Sequence, residues 1–158
     1  VGASTGGFTE VCLNRGARGV YAVDVGRGQL HPSLAADPRV VDLQGTDARS
    51  LTREVIAEAP ELVVCDASFI GLAKVLPAAL KLAADRAELI CLVKPQFEVG
   101  PERVGKGGIV ADPAARAEAV AGARAFLAGE GWAVQAVAES PITGGDGNVE
   151  YLLWAKRT

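Results

Sequence analysis

The sequence predicts an α/β domain built on a doubly wound, mostly parallel sheet. Three observations support this fold class. The 158 residues suffice for one domain with a substantial core. Short apolar runs that suit buried strands alternate with helix-like segments, which is typical of a parallel sheet with helices on both faces. The last two apolar runs are joined by a loop without a helix, residues 140–148, so we expect that pair to be antiparallel.

The predicted strands are rich in Val, Leu, Ile and Ala, because aromatic residues make up only 5% of the chain. They cover residues 19–24, 39–43, 61–66, 88–94, 132–138 and 149–155. Val1 is interpreted as the end of one more strand, which leads into the loop at residues 2–7.

Helix-like segments separate several of these strands. They cover residues 8–15, 51–58, 71–85 and 112–129. The last segment has the clearest start signal, with Asp112 as the N-cap and Pro113 at the first helical position.

Composition excludes several classes of protein. The longest strongly apolar runs, such as LICLV at 89–93, are far shorter than the roughly 18 residues of a membrane-spanning helix, so we expect no membrane partner. A net charge of −3 and a pI near 5.2 argue against this domain alone binding a phosphate backbone. Cys12, Cys65 and Cys91 lie in apolar surroundings without metal-ligand spacing, which predicts buried thiols, a cytoplasmic location and no bound metal.

The candidate functional residues stand where the predicted strands end, because ligands of such sheets bind beyond the carboxyl ends of the strands. Asp24, Asp66 and Lys94 occupy such ends, and Asp47 comes just after the third strand. Glu150 begins the last strand and reaches the same edge if that strand is antiparallel.

The opening stretch VGASTGG predicts a turn where a ligand approaches bare backbone at Gly2, Gly6 and Gly7. Two familiar nucleotide-binding motifs do not fit it. A dinucleotide fingerprint would need glycine where Ser4 stands, and a P-loop would need Gly-Lys-Ser/Thr where Gly7 is followed by Phe8.

Asp24 follows the glycine loop by about twenty residues, which is where an acid receives the two hydroxyls of an adenosine ribose. Asp47 in TDAR is a candidate acceptor for the adenine amino group. A ligand that contains adenosine but no phosphate fits this arrangement, and S-adenosylmethionine is the common one. Its sulfonium and ammonium groups are cationic, so a rim of carboxylates favours its binding. The alternative is that Asp24 and Asp47 only cap helices or turns.

Lys94 ends an apolar strand, a position where a solvated surface lysine is the ordinary alternative. Here we expect Asp66 and Glu150 on either side of it. Opposite charges would orient the lysine, and partial burial can tune its proton affinity, so that its amine form is suited to accept a hydrogen bond or a proton from an alcohol.

Seven motifs in order resemble one family over essentially the whole chain. They are GASTGGFT, YAVDVGRGQL, TDAR, VVCDASFI, LVKPQFE, VGKGGIV and SPITGGDGNVEYLL. Together they resemble the TlyA-type proteins, haemolysin-named relatives of the FtsJ/RrmJ ribosomal RNA 2′-O-methyltransferases.

The resemblance implies a Rossmann-like methyltransferase fold that transfers a methyl group from S-adenosylmethionine to a ribose 2′-hydroxyl. In its Lys-Asp-Lys-Glu catalytic pattern, Asp66, Lys94 and Glu150 match the last three positions. The cofactor-binding residues then comprise Gly2, Ala3, Ser4, Gly6, Gly7, Phe8, Asp24, Asp47 and Asp66.

The resemblance also implies two parts that have no counterpart among these residues. The first lysine of the pattern and a small S4-type RNA-binding domain are both expected upstream, so we expect residues 1–158 to be the methyltransferase domain of a longer protein. Ribosomal RNA or ribosomal subunits are the expected partners. Arg103 and Lys106, in the glycine-containing loop 100–108, are candidate RNA contacts, with a plain solvated loop as the alternative.

Three other functions are weighed against this one. A membrane-active haemolysin has no spanning segment or strongly basic amphipathic helix to support it in this chain. A module that binds S-adenosylmethionine or RNA without catalysis stays open. A nicotinamide-dependent oxidoreductase is disfavoured by the glycine spacing.

Overall fold

The computed structural model describes residues 1–158. The strands are β1 (Val20–Val23), β2 (Val40–Leu43), β3 (Leu62–Cys65), β4 (Glu88–Val93), β5 (Trp132–Glu139) and β6 (Tyr151–Arg157). The helices are α1 (Gly7–Asn14), α2 (Pro32–Ala35), α3 (Leu72–Val75), α4 (Pro77–Leu82), α5 (Pro95–Glu98) and α6 (Pro113–Gly129).

The strands form a pair, β2–β1, and a four-stranded group, β3–β4–β6–β5, and the first residues of the chain connect the two. Val1 donates its N–H to the Val64 carbonyl at 2.9 Å and accepts from the Asp66 N–H at 3.1 Å. On the other side, the Ala3 N–H donates to the Val23 carbonyl at 3.0 Å. These hydrogen bonds are the ones that a strand residue makes, although residues 1–3 are not themselves assigned to a strand. The chain passes to β1 and β2 on one side of this point and to β3 and β4 on the other, so strand order reverses here.

The predicted α/β class with a mostly parallel arrangement and an antiparallel last strand is confirmed. β1 pairs with β2 and β3 with β4 in parallel, whereas β6 is antiparallel to both of its neighbours. The sequence did not predict that β6 would lie between β4 and β5. This insertion aligns Val93 with Tyr151, so the adjoining residues Lys94 and Glu150 reach the same edge of the sheet.

Helix predictions were partly correct. α1 and α6 lie where expected, and the Asp112 side chain accepts from the Ala114 N–H at 2.9 Å, as an N-cap does. The segment 71–85 is broken into α3 and α4, because Pro77 has no N–H to continue the helical hydrogen bonds.

The predicted helix over 51–58 is wrong. The segment makes one turn, in which the Thr52 carbonyl accepts from the amides of Val55 and Ile56. Its two buried side chains, Leu51 and Ile56, are five positions apart, a spacing that does not fall on one face of a helix.

One face of the sheet holds most of the core. Leu89, Cys91 and Val93 of β4 are fully buried and alternate with half-exposed residues. α6 packs on that side through a row of small residues at every fourth position, Ala119 and Ala123, followed by Leu127. This packing fixes the end of β4, from which Lys94 projects.

All three thiols are unpaired, and Cys65 and Cys91 are buried as predicted, whereas Cys12 is half-buried. Burial raises the pKa of each of them, so none has the thiolate character of a nucleophile. No helix combines the length and the apolar character that crossing a membrane requires.

Candidate active site

The glycine loop needs glycine at two positions for steric reasons. Gly2 has φ +71°, and a Cβ there would lie 2.7 Å from the Asp66 carbonyl oxygen. Gly6 has φ +109°, and a Cβ there would overlap Leu34. The loop therefore packs closely against β3 on one side and α2 on the other, and it leads directly into α1 at Gly7 and the half-buried Phe8.

Asp24 holds the loop in place. One carboxylate oxygen accepts from the Ser4 N–H at 2.7 Å, and the other accepts from the Gly26 N–H at 2.8 Å. A small cleft opens beside this contact, lined by Ala3, Ser4, Asp24, Leu30, Asp42 and Gln44, among others. Because a carboxylate has about four lone-pair sites, Asp24 retains capacity to accept from hydroxyl groups in that cleft.

Asp47 has the capping role that was its alternative interpretation. Its side chain accepts from the Arg49 N–H at 2.9 Å and pairs with the Arg49 guanidinium at 2.7 Å. This hydrogen bonding lowers the pKa of Asp47 below its usual value. An adenine contact by Asp47 stays a prediction.

Lys94 is buried at the end of β4, with 8% of its surface exposed. Its Nζ lies 2.6 Å from Asp66 Oδ1 and donates to Ser68 Oγ at 3.1 Å. The predicted pairing of Lys94 with Asp66 is therefore present. An ammonium group has three N–H donors, so one remains for a ligand.

The expected position of Lys94 between two carboxylates needs correction. Glu150 is also buried, with 8% of its surface exposed, but it makes no ion pair with Lys94. Instead its Oε2 accepts from Gln96 Nε2 at 2.9 Å. The two groups share an edge of the sheet and are held by different partners.

A buried asparagine joins the two glycine-containing loops. Asn148 Oδ1 accepts from the Val110 N–H at 2.9 Å, and its Nδ2 donates to the Gly108 carbonyl at 2.8 Å. Of the two candidate RNA contacts, Arg103 is paired with Glu118 and Asp112, whereas Lys106 is exposed. The loop carrying Lys106 is thus fixed to the loop that carries Glu150.

Phe69, the residue after Ser68, stands exposed to solvent. It has 89% of its surface exposed, a backbone φ of +66°, and a ring centroid 5.1 Å from that of Phe97. Phe69 directly follows Ser68, whose hydroxyl contacts Lys94, so an exposed aromatic residue lies one position from that contact.

Sequence reasoning missed Ser68, Phe69, Gln96 and Asn148 as site residues. All four lie inside motifs that carried the resemblance, but a neutral side chain gives no charge pattern to distinguish it from its neighbours. Position within those motifs was the only signal that could have identified them.

The arrangement suits an adenosine-containing cation without phosphate. The loop presents only the small residues Ala3 and Ser4 to the cleft. The charged residues that line the cleft are the carboxylates Asp24 and Asp42, rather than the lysines or arginines that phosphate attracts. At its other end the site offers one buried ammonium group held by Asp66 and Ser68, which can orient a hydroxyl.

Comparison with known proteins gives a consistent family. Residues 1–157 match the family model described as FtsJ-like methyltransferase. Over 155 residues the chain is 54% identical to the 16S/23S rRNA (cytidine-2′-O)-methyltransferase TlyA of Mycobacterium tuberculosis. That alignment covers 98% of this chain and 58% of the relative, so the chain spans little more than half the relative's length.

Solved structures share the fold. A candidate hemolysin of Lactococcus lactis superposes with a TM-score of 0.96 at 37% identity, covering all of this chain and 76% of that one. The magnesium protoporphyrin IX methyltransferase of Synechocystis, solved with bound S-adenosylhomocysteine, gives a TM-score of 0.64 at 15% identity, covering 99% of this chain and 72% of that one. The second likeness concerns the fold alone.

Proposed function

The chain belongs to the FtsJ-like methyltransferase family, and on that premise we propose that it methylates ribose 2′-hydroxyl groups of ribosomal RNA with S-adenosylmethionine. The observation that carries the proposal is the buried Lys94, held by Asp66 and Ser68 at the same edge as the glycine loop. The rRNA 2′-O-methyltransferase name of the Mycobacterium tuberculosis relative supports the substrate class.

The residues for the cofactor follow from the fit described above. The backbone of the loop Gly2–Gly7 would lie against the cofactor. Asp24 would bind the ribose hydroxyls, and Asp66 would lie near the methionine end. S-adenosylmethionine would supply a methyl group on a sulfonium, whose neutral sulfide is a leaving group that needs no protonation. The carboxylates Asp24, Asp42 and Asp66 favour a cationic ligand at this edge.

Lys94 acts on the 2′-hydroxyl. In its neutral form it takes the hydroxyl proton, and Asp66, 2.6 Å away, stabilises the ammonium that results. Ser68 fixes the direction of the Nζ group. Burial of Lys94 keeps water from competing for the same nitrogen, so proton transfer is directed to the bound alcohol.

Phe69 is the residue we place against the RNA. A single-stranded or flipped nucleotide is commonly held by stacking on an aromatic ring, and such contacts contribute roughly 1–3 kcal/mol per base. Phe69 is exposed one residue after Ser68, which contacts Lys94, and Lys106 adds an exposed positive charge on the loop that Asn148 binds. We expect the main RNA affinity to come from an S4-type domain elsewhere in the protein, because this domain has a net charge of −3.

The proposal is tested by mapping 2′-O-methyl groups in ribosomal RNA by mass spectrometry, with and without the intact gene product. We expect at least one ribose methylation to depend on it. Lys94→Ala should abolish that methylation while leaving S-adenosylmethionine binding intact by calorimetry, because Lys94 acts on the hydroxyl and the cofactor lies on the glycine loop.

Lys74→Ala is the matched control, since Lys74 is an exposed lysine on α3 outside the site. It should methylate like the wild-type protein. Full methylation by Lys94→Ala would rule out the catalytic role of Lys94. An rRNA methylation map that is the same with and without the gene product would rule out the proposed function.

A further inference from the structure

Glu150 is a buried carboxylate held by a neutral group. Its surface is 8% exposed and it forms no ion pair, although Lys94 lies at the same edge of the sheet. Its side-chain hydrogen bond comes from Gln96 Nε2, at 2.9 Å from Oε2. A buried carboxylate needs donors to remain ionised, and here an amide supplies one.

The contact fixes the orientation of the Gln96 amide. An ionised carboxylate can only accept, so the NH₂ group of Gln96 must face Glu150 and its Oε1 must face away. Oε1 is buried there and receives no hydrogen bond from the protein. A buried acceptor without a donor is costly, so the hydrogen bond to Glu150 outweighs that cost in setting the amide orientation.

Gln96 and Lys94 leave the same rigid turn. Pro95 between them is the first residue of α5, and the Phe97 N–H donates to the Lys94 carbonyl at 2.9 Å. Lys94 reaches Asp66 and Ser68, while Gln96 reaches Glu150. One turn thus places both the ammonium group and the carboxylate of the site.

Three other ionisable groups lie at the same edge of the sheet as Glu150. Lys94 and Asp66 lie at the ends of β4 and β3, and Asp146 lies on the loop that precedes Glu150. A Cβ on Gly144 would lie 2.7 Å from Glu150 Oε2 and 3.5 Å from Asp146 Oδ1, so the two carboxylates are close neighbours. Two acids near one lysine increase the need for a donor at Glu150.

We propose that Gln96 is a positioning residue for Glu150 in the methyl transfer. The amide holds the carboxylate without neutralising it, so its negative charge remains available to Lys94 and to a cationic ligand at this edge. The inference rests on the proposed function, because it assigns Glu150 a part in that reaction.

The test is a double-mutant cycle in the intact gene product. Gln96→Met replaces the amide with an apolar side chain of similar length. We expect a roughly tenfold lower kcat for methyl transfer, with little change in the KM for ribosomal RNA, because Glu150 loses the hydrogen bond that holds its carboxylate in place. In a Glu150→Gln background the same substitution should have almost no further effect. Independent, multiplying effects would overturn the proposal.

Thermal unfolding gives a readout that does not require activity. Gln96→Met should melt below the wild-type protein, because the buried Glu150 carboxylate is left without its donor. In the Glu150→Gln background the same substitution should lower the melting temperature less, because a buried neutral amide is cheaper to leave without a donor than a carboxylate. An equal loss of melting temperature in both backgrounds, in a protein that methylates rRNA, would overturn the role of Gln96 alone. A wild-type protein that does not methylate rRNA would overturn the proposed function.

Discussion

Two residues other than glycine adopt left-handed backbone conformations, and both lie at the candidate site. Ser4 has φ +51° in the glycine loop, and Phe69 has φ +66° directly after Ser68, which contacts Lys94. Each such conformation costs roughly 1–3 kcal/mol and persists only where neighbours hold it. The Asp24 carboxylate holds the amide of Ser4, and the ring of Phe97 packs against that of Phe69. Backbone strain is thus concentrated where ligands are proposed to bind.

Gly2→Ala should destabilise the protein, because the new Cβ meets the Asp66 carbonyl at 2.7 Å and the φ of +71° disfavours any side chain. We expect a loss of roughly 2 kcal/mol or more, which corresponds to a melting temperature lower by about 4–8 °C in a domain of this size.

Gly7→Ala is the control, because Gly7 has an ordinary φ and open space where the Cβ would stand. As the first residue of α1 it should tolerate alanine with no loss of melting temperature. Equal melting temperatures for Gly2→Ala and Gly7→Ala would show that the loop does not need to approach β3 closely.

At the scale of elements, the loops on either side of α6 and β5 act as one unit. Asn148 bridges the backbone at Gly108 and Val110, and its own carbonyl accepts from the Gly144 N–H at 2.8 Å. Asn148 is 1% exposed, so all of these hydrogen bonds are shielded from water. The loop that carries Lys106 and the loop that leads to Glu150 are therefore positioned together.

Asn148→Ala should remove both side-chain hydrogen bonds and leave the Val110 N–H and the Gly108 carbonyl without partners. We expect a destabilisation of about 2–4 kcal/mol, measured by urea unfolding. Asn14→Ala, at an exposed asparagine that ends α1, serves as the control and should unfold like the wild-type protein. A small effect of Asn148→Ala would mean that the loops are held by other contacts.

The elements that the sequence predicted well are those whose pattern is local. Strands β1 to β6 and helix α6 follow from apolar runs and from the Asp112–Pro113 start signal. The helix prediction for segment 51–58 was wrong, because its helix-like composition does not indicate which of its side chains are buried in the core. Leu51 and Ile56 are both buried, at the cost of a regular helix.

At the scale of the whole molecule, the sheet is organised around residues 1–3. They lie between β1 and β3, where strand order reverses, and ligands of such sheets bind at that point. The glycine loop, Asp24, Asp66 and Lys94 all surround it. The order of the strands in the sheet, rather than any one element, therefore brings the site residues together.

Hydrogen exchange should follow the sheet order. β4 is paired on both sides and its inward residues Leu89, Cys91 and Val93 are fully buried, so its amides should be the most protected in the chain. β2 is an edge strand with Val41 46% exposed, so its amides should exchange much faster. Equal protection of β2 and β4 in native-state exchange would contradict the sheet order described here.

The amino-acid sequence was enough to predict the fold class, the family resemblance and the strand-end positions of Asp24, Asp66, Lys94 and Glu150. These depend on local periodicity, on residue type and on motif order, all of which are carried along the chain. The pairing of Lys94 with Asp66 could also be predicted, because adjacent parallel strands end at the same edge of the sheet.

The partner of each charged group, in contrast, depends on the folded arrangement of the whole chain. The insertion of β6 between β4 and β5 brings Glu150 to the lysine's edge, yet the carboxylate bonds to Gln96 and the ammonium to Asp66 and Ser68. The physical reason is that a hydrogen bond depends on distances of a few tenths of an ångström between atoms far apart in sequence. Those distances are set by packing of the whole sheet and its helices, which no local pattern encodes.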